Sequence, residues 1–304
     1  MKEKESIYAI IVTYNAMKWA DKCFCSLMES TVPIEIVVVD NGSKDGTVDY
    51  IKNNYPNIKL LVQPKNLGFG QGNNLGIKFA LAHGATHLLL LNQDAWIDKD
   101  MIQILLNYDD GNTLLSPIHM TGENDRLDKN FCTFAVMRSY GLRKFINDLI
   151  VNQPDIYETY EINAACWFIP KSIFMEIGGF NPLFFHYAED NDYLQRLHYH
   201  KKKVCFVPKT RAYHDRANIP TKPLTLITCY QKLVLNAVNI QKPFIVGLLG
   251  AVKYVLSVIY NGLKNRDKSY ISIALRSSCK FIHNIFKIYS NRIEIKSKKP
   301  HWLL

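Results

Sequence analysis

The chain has no Cys-x-x-Cys pair, and its seven cysteines are odd in number, so neither a zinc ribbon nor a complete disulfide framework is written into it. No glycine-rich stretch ends in Gly-Lys-Ser/Thr, which excludes the phosphate loop of nucleoside triphosphatases. No internal repeat or low-complexity block occurs, so solenoid and disordered classes drop out. Only one apolar run, 244–263, reaches the length of a membrane span. Lys253 inside it, with three glycines and Asn261, favours an interfacial or bundle helix over a spanning one. Met1 to Glu5 lead into an apolar run with no signal-peptide pattern, and a reduced, cytoplasmic setting is expected. Cys23 and Cys25, two apart in a helical pattern, read as small packing residues.

What is present suits one large domain or a domain with an appendage: 304 residues, 48% hydrophobic and 12% aromatic, enough to fill a sizeable core. The net charge of +10 is uneven. Residues 221–304 hold 14 of the 37 Lys and Arg against Asp267 and Glu294 alone, so this stretch carries +12 and residues 1–220 carry −2. A basic tail can meet nucleic acid, anionic lipid or an anionic substrate. Its lysines alternate with aliphatic runs rather than clustering, so no nucleic acid is expected and an anionic membrane surface is.

Short apolar runs at 8–13, 34–39, 59–62 and 87–91, the second of them β-branched, alternate with helical spacing at 17–29, 47–53 and 72–82. That alternation implies an α/β fold of Rossmann type: a mostly parallel sheet with helices on both faces. From 109 to 161 the pattern weakens, apart from a helical stretch at 145–151, and an insertion over the cleft is expected. Regular spacing resumes with a strand at 164–169, helices at 171–177 and 190–200, and a strand at 203–207. The domain reading is therefore 1–220 for the sheet domain and 221–304 for a basic helical C-terminal extension.

Polar motifs sit where those strands stop, and open α/β sheets bind ligands at such ends. Thr13, Tyr14 and Asn15 follow the first strand; Asp40, Asn41, Gly42 and Ser43 follow the second. Such ends can form a flat, edge-reading slot for a base, although Asp-Asn-Gly-Ser is equally a tight turn and helix cap. Asn66, Gly68 and Gly70 precede a helix, where glycines allow close backbone approach and N–H groups can face an anion, or simply connect loop to helix. Asn92, Gln93 and Asp94 end the fourth strand, and Asp94 is placed to hold a divalent cation beside a departing diphosphate. Glu189 and Asp190 open a helix, as a base for an acceptor hydroxyl or as ordinary partners of the helix dipole. Trp167 and the Phe184-Phe185-His186-Tyr187 group offer a platform for a sugar ring or core packing.

In this order the motifs resemble glycosyltransferase family 2, with the GT-A fold, and are similar to bacterial rhamnosyltransferases of polysaccharide assembly; the likeness covers residues 7–214. It also rests on Gly178-Gly179-Phe180 and on Asp192 with Arg196. The resemblance implies an inverting glycosyltransferase moving a sugar from a dTDP- or UDP-sugar to a glycan acceptor, lipid-linked, and the basic tail with its apolar runs is expected to hold it at the inner face of the cell membrane. Thr13, Tyr14, Asn15, Asp40, Asn41, Asn66, Gly68, Gly70, Asn92 and Gln93 would contact the donor. Asp94 and His214 would hold Mg²⁺ or Mn²⁺, and Asn92 stands where the family's Asp-x-Asp has its first Asp, which lowers the site's charge. Asp190 would be the base with Glu189 as its understudy; Trp167, Tyr187 and Asp192 would face the acceptor. A subunit that only binds nucleotide sugars is the rival, countered by the retention of Asp94, Glu189 and Asp190 together. A nucleotidyltransferase would carry a basic glycine-rich loop in place of Thr13-Tyr14-Asn15-Ala16-Met17.

Overall fold

The computed structural model describes residues 5–215 and 224–303. The chain runs through β1 (Ile7–Thr13), α1 (Ala20–Met28), β2 (Ile34–Asp40), α2 (Thr47–Asn54), β3 (Lys59–Val62), α3 (Phe69–Ala82), β4 (His87–Asn92) and β5 (Ala95–Ile97). It continues with α4 (Met101–Leu106), β6 (Thr113–Thr121), α5 (Lys129–Phe131), α6 (Leu142–Asn147), β7 (Tyr157–Glu158), β8 (Cys166–Pro170), α7 (Lys171–Ile177), α8 (Glu189–Tyr199) and β9 (Lys203–His214). Four helices close it: α9 (Leu226–Val238), α10 (Phe244–Lys264), α11 (Lys268–His283) and α12 (Ile285–Glu294).

One sheet runs β3-β2-β1-β4-β8-β6-β9-β5, with β7 paired to β9. The first four strands in that order are mutually parallel; β8 joins antiparallel to β4, and β6 and β9 are again parallel to each other. Alternate residues feed opposite cores: Ile10, Leu88 and Leu90 enter one cluster, and Ile11, Leu89 and Leu91 the other. A sheet buried on both faces needs apolar side chains at successive positions, which is why 9–12, 36–39 and 88–91 are continuous aliphatic runs.

The register brings the ends together. Thr13 lies opposite Asp40, and Val12 opposite Asn92, so β1, β2 and β4 stop side by side where the strand order reverses.

The stretch 109–161 is more than an insertion. Its residues 113–121 form β6, a central strand between β8 and β9. Ser116 and His119 obscure the strand pattern, yet both are fully buried. Ser116 Oγ donates to the Cys166 carbonyl at 2.8 Å and lies 2.9 Å from His119 Nε2. Pro117 lacks an N–H for the ladder, and the register with β9 shifts just after it. The stretch also holds short helices and wide helical turns from 129 to 152 and the two-residue strand β7.

The expected boundary between 220 and 221 falls outside the described residues. On either side of it the two stretches share a core. Phe184 packs in one cluster with Leu233, Val234, Phe281 and Ile288 of α9, α11 and α12, and Leu303 enters the main sheet cluster. Asn181 exchanges side-chain hydrogen bonds with Asn291 at 2.8 and 3.2 Å, and Gly179 N donates to the His301 carbonyl at 2.9 Å. The helical extension is thus built into the body rather than hung from it. α10 turns a long apolar stripe outward, through Ile245, Leu249, Val252, Leu256, Tyr260 and Leu263. It is also the one described helix long and apolar enough to cross a membrane.

Candidate active site

Asp40 is fully buried at the end of β2. Its Oδ1 accepts from Gly42 N at 3.0 Å and Ser43 N at 2.9 Å, and its Oδ2 accepts from Thr13 Oγ1 at 2.9 Å and from Ser43 Oγ. A carboxylate has about four acceptor sites, and all four are in use. Asp40 therefore organises the loop and leaves no free edge for reading a base, as does the buried Thr13 hydroxyl that bonds it. Exposed surface at this end comes from Tyr14, at 47%, whose backbone is clasped by Gln93. Tyr14 N donates to Gln93 Oε1 at 2.7 Å, and Gln93 Nε2 to Tyr14 O at 3.3 Å. Asn15, at φ 54°, accepts from Lys44 N through Oδ1 at 2.9 Å and so ties the first loop to the second.

The loop 66–68 that leads into α3 is shaped by amide side chains. Asn66 Oδ1 accepts from Gly68 N at 2.8 Å, and Asn41 Nδ2 donates to Gly68 O at 3.2 Å. The close approach that Gly68 and Gly70 permit is to protein. A β-carbon on Gly68 would stand 1.8 Å from the Phe185 carbonyl oxygen, and one on Gly70 2.9 Å from Phe180 Cβ and 3.7 Å from Glu189 Cβ. The loop at the start of α3 is thereby pressed against the segment that opens α8.

At the end of β4, His214 Nε2 lies 3.3 Å from Asp94 Oδ1 and 3.4 Å from Asn92 Nδ2. His214 Nδ1 stands 3.5 Å from Asp128 Oδ2, close enough for charge attraction though not aligned as a hydrogen bond. Burial works against a charged imidazole here, but the two flanking carboxylates outweigh it and raise the His214 pKa to about 9. Asp128 is likewise opposed by burial, and its contact with His214 brings it down to about 2. The strand pairing of Ala95 with His214, between β5 and β9, produces this meeting. Among the described residues no group of three His, Cys, Asp or Glu converges as a metal site. Asp94, and His214 once a cation displaces its proton, supply two ligands of a kind that suits a cation completed by substrate oxygens.

α8 opens after two non-glycine residues at positive φ, Tyr187 and Ala188, both at 71°. Glu189 is buried with an unpartnered Oε2. Desolvation first, and the charge of Asp190 second, push its carboxyl up to about 8, so it is uncharged near neutral pH. Asp190 is half-buried, and its Oδ1 accepts from Asn191 N at 2.8 Å.

Two residues expected on the acceptor side are in the interior. Trp167 is at 0% exposure, stacked on Phe180 and tilted against Tyr193, and has no face to offer a sugar. Asp192 is buried and accepts from Arg196 Nε at 2.9 Å, while the Arg196 guanidinium also donates to the carbonyls of Ile177 at 3.0 Å and Gly179 at 2.7 Å. This buried pair fixes the turn through Gly178 and Gly179. Tyr187 stays exposed.

Two further residues have no sequence signal: Asp128, within the weakly patterned stretch, and Gln231, on a helix of the extension.

The family model described as Glycosyl transferase family 2 matches residues 8–177, more than half of the chain, and the chain belongs to that family. It is 27% identical over 202 residues to the dTDP-rhamnosyl transferase RfbF of Shigella flexneri, a match covering 64% of each chain. It is 23% identical over 239 residues to an N-acetylglucosaminyl-diphospho-decaprenol L-rhamnosyltransferase of Mycobacterium tuberculosis, covering 69% of this chain and 76% of the relative. Among solved structures it resembles S. aureus TarS 1-349 in complex with UDP-GlcNAc, with TM-score 0.58 and 15% identity, over 96% of this chain and 89% of that one. It also resembles GalNAc-T7 with UDP, GalNAc and Mn²⁺, with TM-score 0.61 and 13% identity, over all of this chain and 56% of the other. These likenesses agree with the expected GT-A-like fold.

Proposed function

We propose that this chain transfers a hexose, rhamnose in the first instance, from a dTDP- or UDP-sugar to a hydroxyl of a lipid-linked glycan, with inversion, in the assembly of a polysaccharide. The observation that carries the reading is the pairing of Asp94 with His214 at the end of β4, together with a half-buried Asp190 at the start of α8. The names of the two rhamnosyltransferase relatives support the donor and the lipid-linked acceptor.

Tyr14 presents the exposed aromatic face at the nucleotide end, with Gln93 holding its backbone. Asp94 and His214 would hold the divalent cation, which when bound neutralises the charge growing on the departing diphosphate. Asp190 takes the proton of the acceptor hydroxyl as that oxygen attacks the anomeric carbon from the side opposite the diphosphate, a single displacement that inverts the centre. Glu189, kept neutral by burial, does not compete as a base and spares Asp190 a second adjacent charge. The outward apolar stripe of α10 and the +12 charge of 221–304 support attachment to the cytoplasmic face of an anionic membrane, where a lipid-linked acceptor lies.

The test is a panel of dTDP-, UDP- and GDP-sugars with Mn²⁺ or Mg²⁺, read by thermal shift and by transfer to a lipid-diphosphate glycan. A dTDP-sugar, dTDP-rhamnose above all, should raise the melting temperature and be consumed. Stabilisation by GDP-sugars alone would overturn the donor assignment.

A further inference from the structure

Gln231 lies on α9 and is almost completely buried. Its amide faces the backbone of the loop before α8. In the orientation that satisfies both ends, nitrogen donates to the carbonyls of His186 and Tyr187, and oxygen accepts from Phe185 N at 2.9 Å and His186 N at 3.3 Å. One side chain thus meets four backbone groups of three consecutive residues.

Those residues need holding. Tyr187 and Ala188 both sit at φ 71°, and non-glycine residues stay in that region only where their surroundings over-determine it. Two elements do so from different parts of the chain. The Phe185 carbonyl comes within the space of a missing β-carbon on Gly68, and Gln231 engages the backbone beside it. The residues next along the chain are Glu189 and Asp190. Because α8 is a rigid element, the direction in which Asp190 points follows from how the turn at 185–188 is set.

We infer that Gln231 is a positioning residue for the transfer reaction: the C-terminal extension completes the active site by clamping the 185–187 backbone so that Asp190 is presented toward the donor loop. The inference rests on Asp190 being the base. It places the role of α9 in turnover rather than in donor binding, since the Gln231 hydrogen bonds fall on residues 185–187, next to α8.

The experiment compares Gln231→Leu, which removes all four hydrogen bonds, and Gln231→Glu, which keeps the shape but cannot donate to the two carbonyls. Leu233→Ala is the control, a packing change on the same helix among Val234, Phe184 and Phe281. Each is measured in the full-length protein by backbone hydrogen exchange over 184–190, donor affinity and kcat. A displaced catalytic group costs about 10²-fold in rate. Gln231→Leu is expected to lose kcat on that scale with donor affinity and KM unchanged, and to lose protection at 185–190 while α9 stays protected. Gln231→Glu should fall between it and the wild type. Leu233→Ala should lower the melting temperature and leave kcat intact. Unchanged protection at 185–190 in both Gln231 variants would overturn the clamp, whatever the enzyme does. Lost protection with full kcat would overturn the positioning role. A wild type that consumes no donor would instead sink the functional reading, leaving exchange to decide the clamp on its own.

Discussion

The carbonyl oxygen of Phe185 occupies the space that a β-carbon on Gly68 would need, 1.8 Å from its ideal position. Gly68 also sits at φ 83°, ψ 169°, a region open essentially only to glycine. Gly68→Ala should therefore destabilise by about 1–3 kcal/mol from the backbone conformation alone. The clash is with backbone, which cannot swing aside, so activity should fall further than stability. Thermal melts together with turnover at a temperature where the variant is folded check this; wild-type turnover would show that the two loops need not touch.

Asp190→Asn should lose about 10²–10⁴-fold in kcat with donor binding retained. Glu189→Gln should be mild, because the native side chain is already uncharged at neutral pH. If Glu189→Gln is dead and Asp190→Asn active, the roles are reversed.

The pH dependence of stability has a definite sign. The folded pKa of Glu189 is raised from 4.5 to about 8, so the stability tied to its neutral form is full below pH 4.5 and is lost as pH rises toward 8. Glu189→Gln should flatten that part of the curve, with a higher melting temperature than wild type at pH 8 and little difference at pH 5. Melting curves across pH 4.5–8.5 decide it, and parallel curves for the two proteins would refute the buried-acid account.

Asp94→Ala should abolish cation-dependent turnover while leaving the fold intact, since the side chain is a quarter exposed at a strand end. Asp128→Asn should cost less, on the order of 10–100-fold in cation affinity, as expected for a residue that orients a ligand from behind. Titration with Mn²⁺ of both variants, with chelator controls, measures this. Full turnover in excess chelator would remove the cation from the mechanism.

A chain cut near 220 should not yield a well-behaved soluble domain, because the cut uncovers Phe184 and removes Leu303 and Gln231 from their partners. The intact protein should pellet with anionic liposomes and less so with neutral ones or in high salt. Paired Leu249→Ser and Leu256→Ser on the exposed face of α10 should weaken pelleting without a fall in melting temperature. Equal, negligible pelleting of all forms would exclude membrane attachment.

Much of the fold was legible because the inner parts of β1, β2 and β4, residues 9–12, 36–39 and 88–91, are covered on both faces and so carry continuous aliphatic runs that stop at polar residues. β6 was not legible. Ser116, Pro117 and His119 break the apolar pattern, and the burial of Ser116 is tolerated because its hydroxyl donates to the Cys166 carbonyl on β8 and meets His119 on its own strand. In the site, local sequence located Asp94, Glu189 and Asp190 at element ends. It could not tell an aromatic on a surface from one in the core, as Trp167 shows, or a carboxylate facing a ligand from one consumed by its own turn, as Asp40 shows.

The sequence alone determined the α/β order, the strand ends and the segregation of charge, because each is a property of neighbours along the chain. Only tertiary structure decided that His214 meets Asp94 and Asp128, that Glu189 is neutral while Asp190 is half-buried, and that Gln231 reaches the loop before α8. Each of these depends on burial and on contacts between distant segments. A pKa or a clamp is set by what surrounds a group in space, and residues near in sequence report little of that.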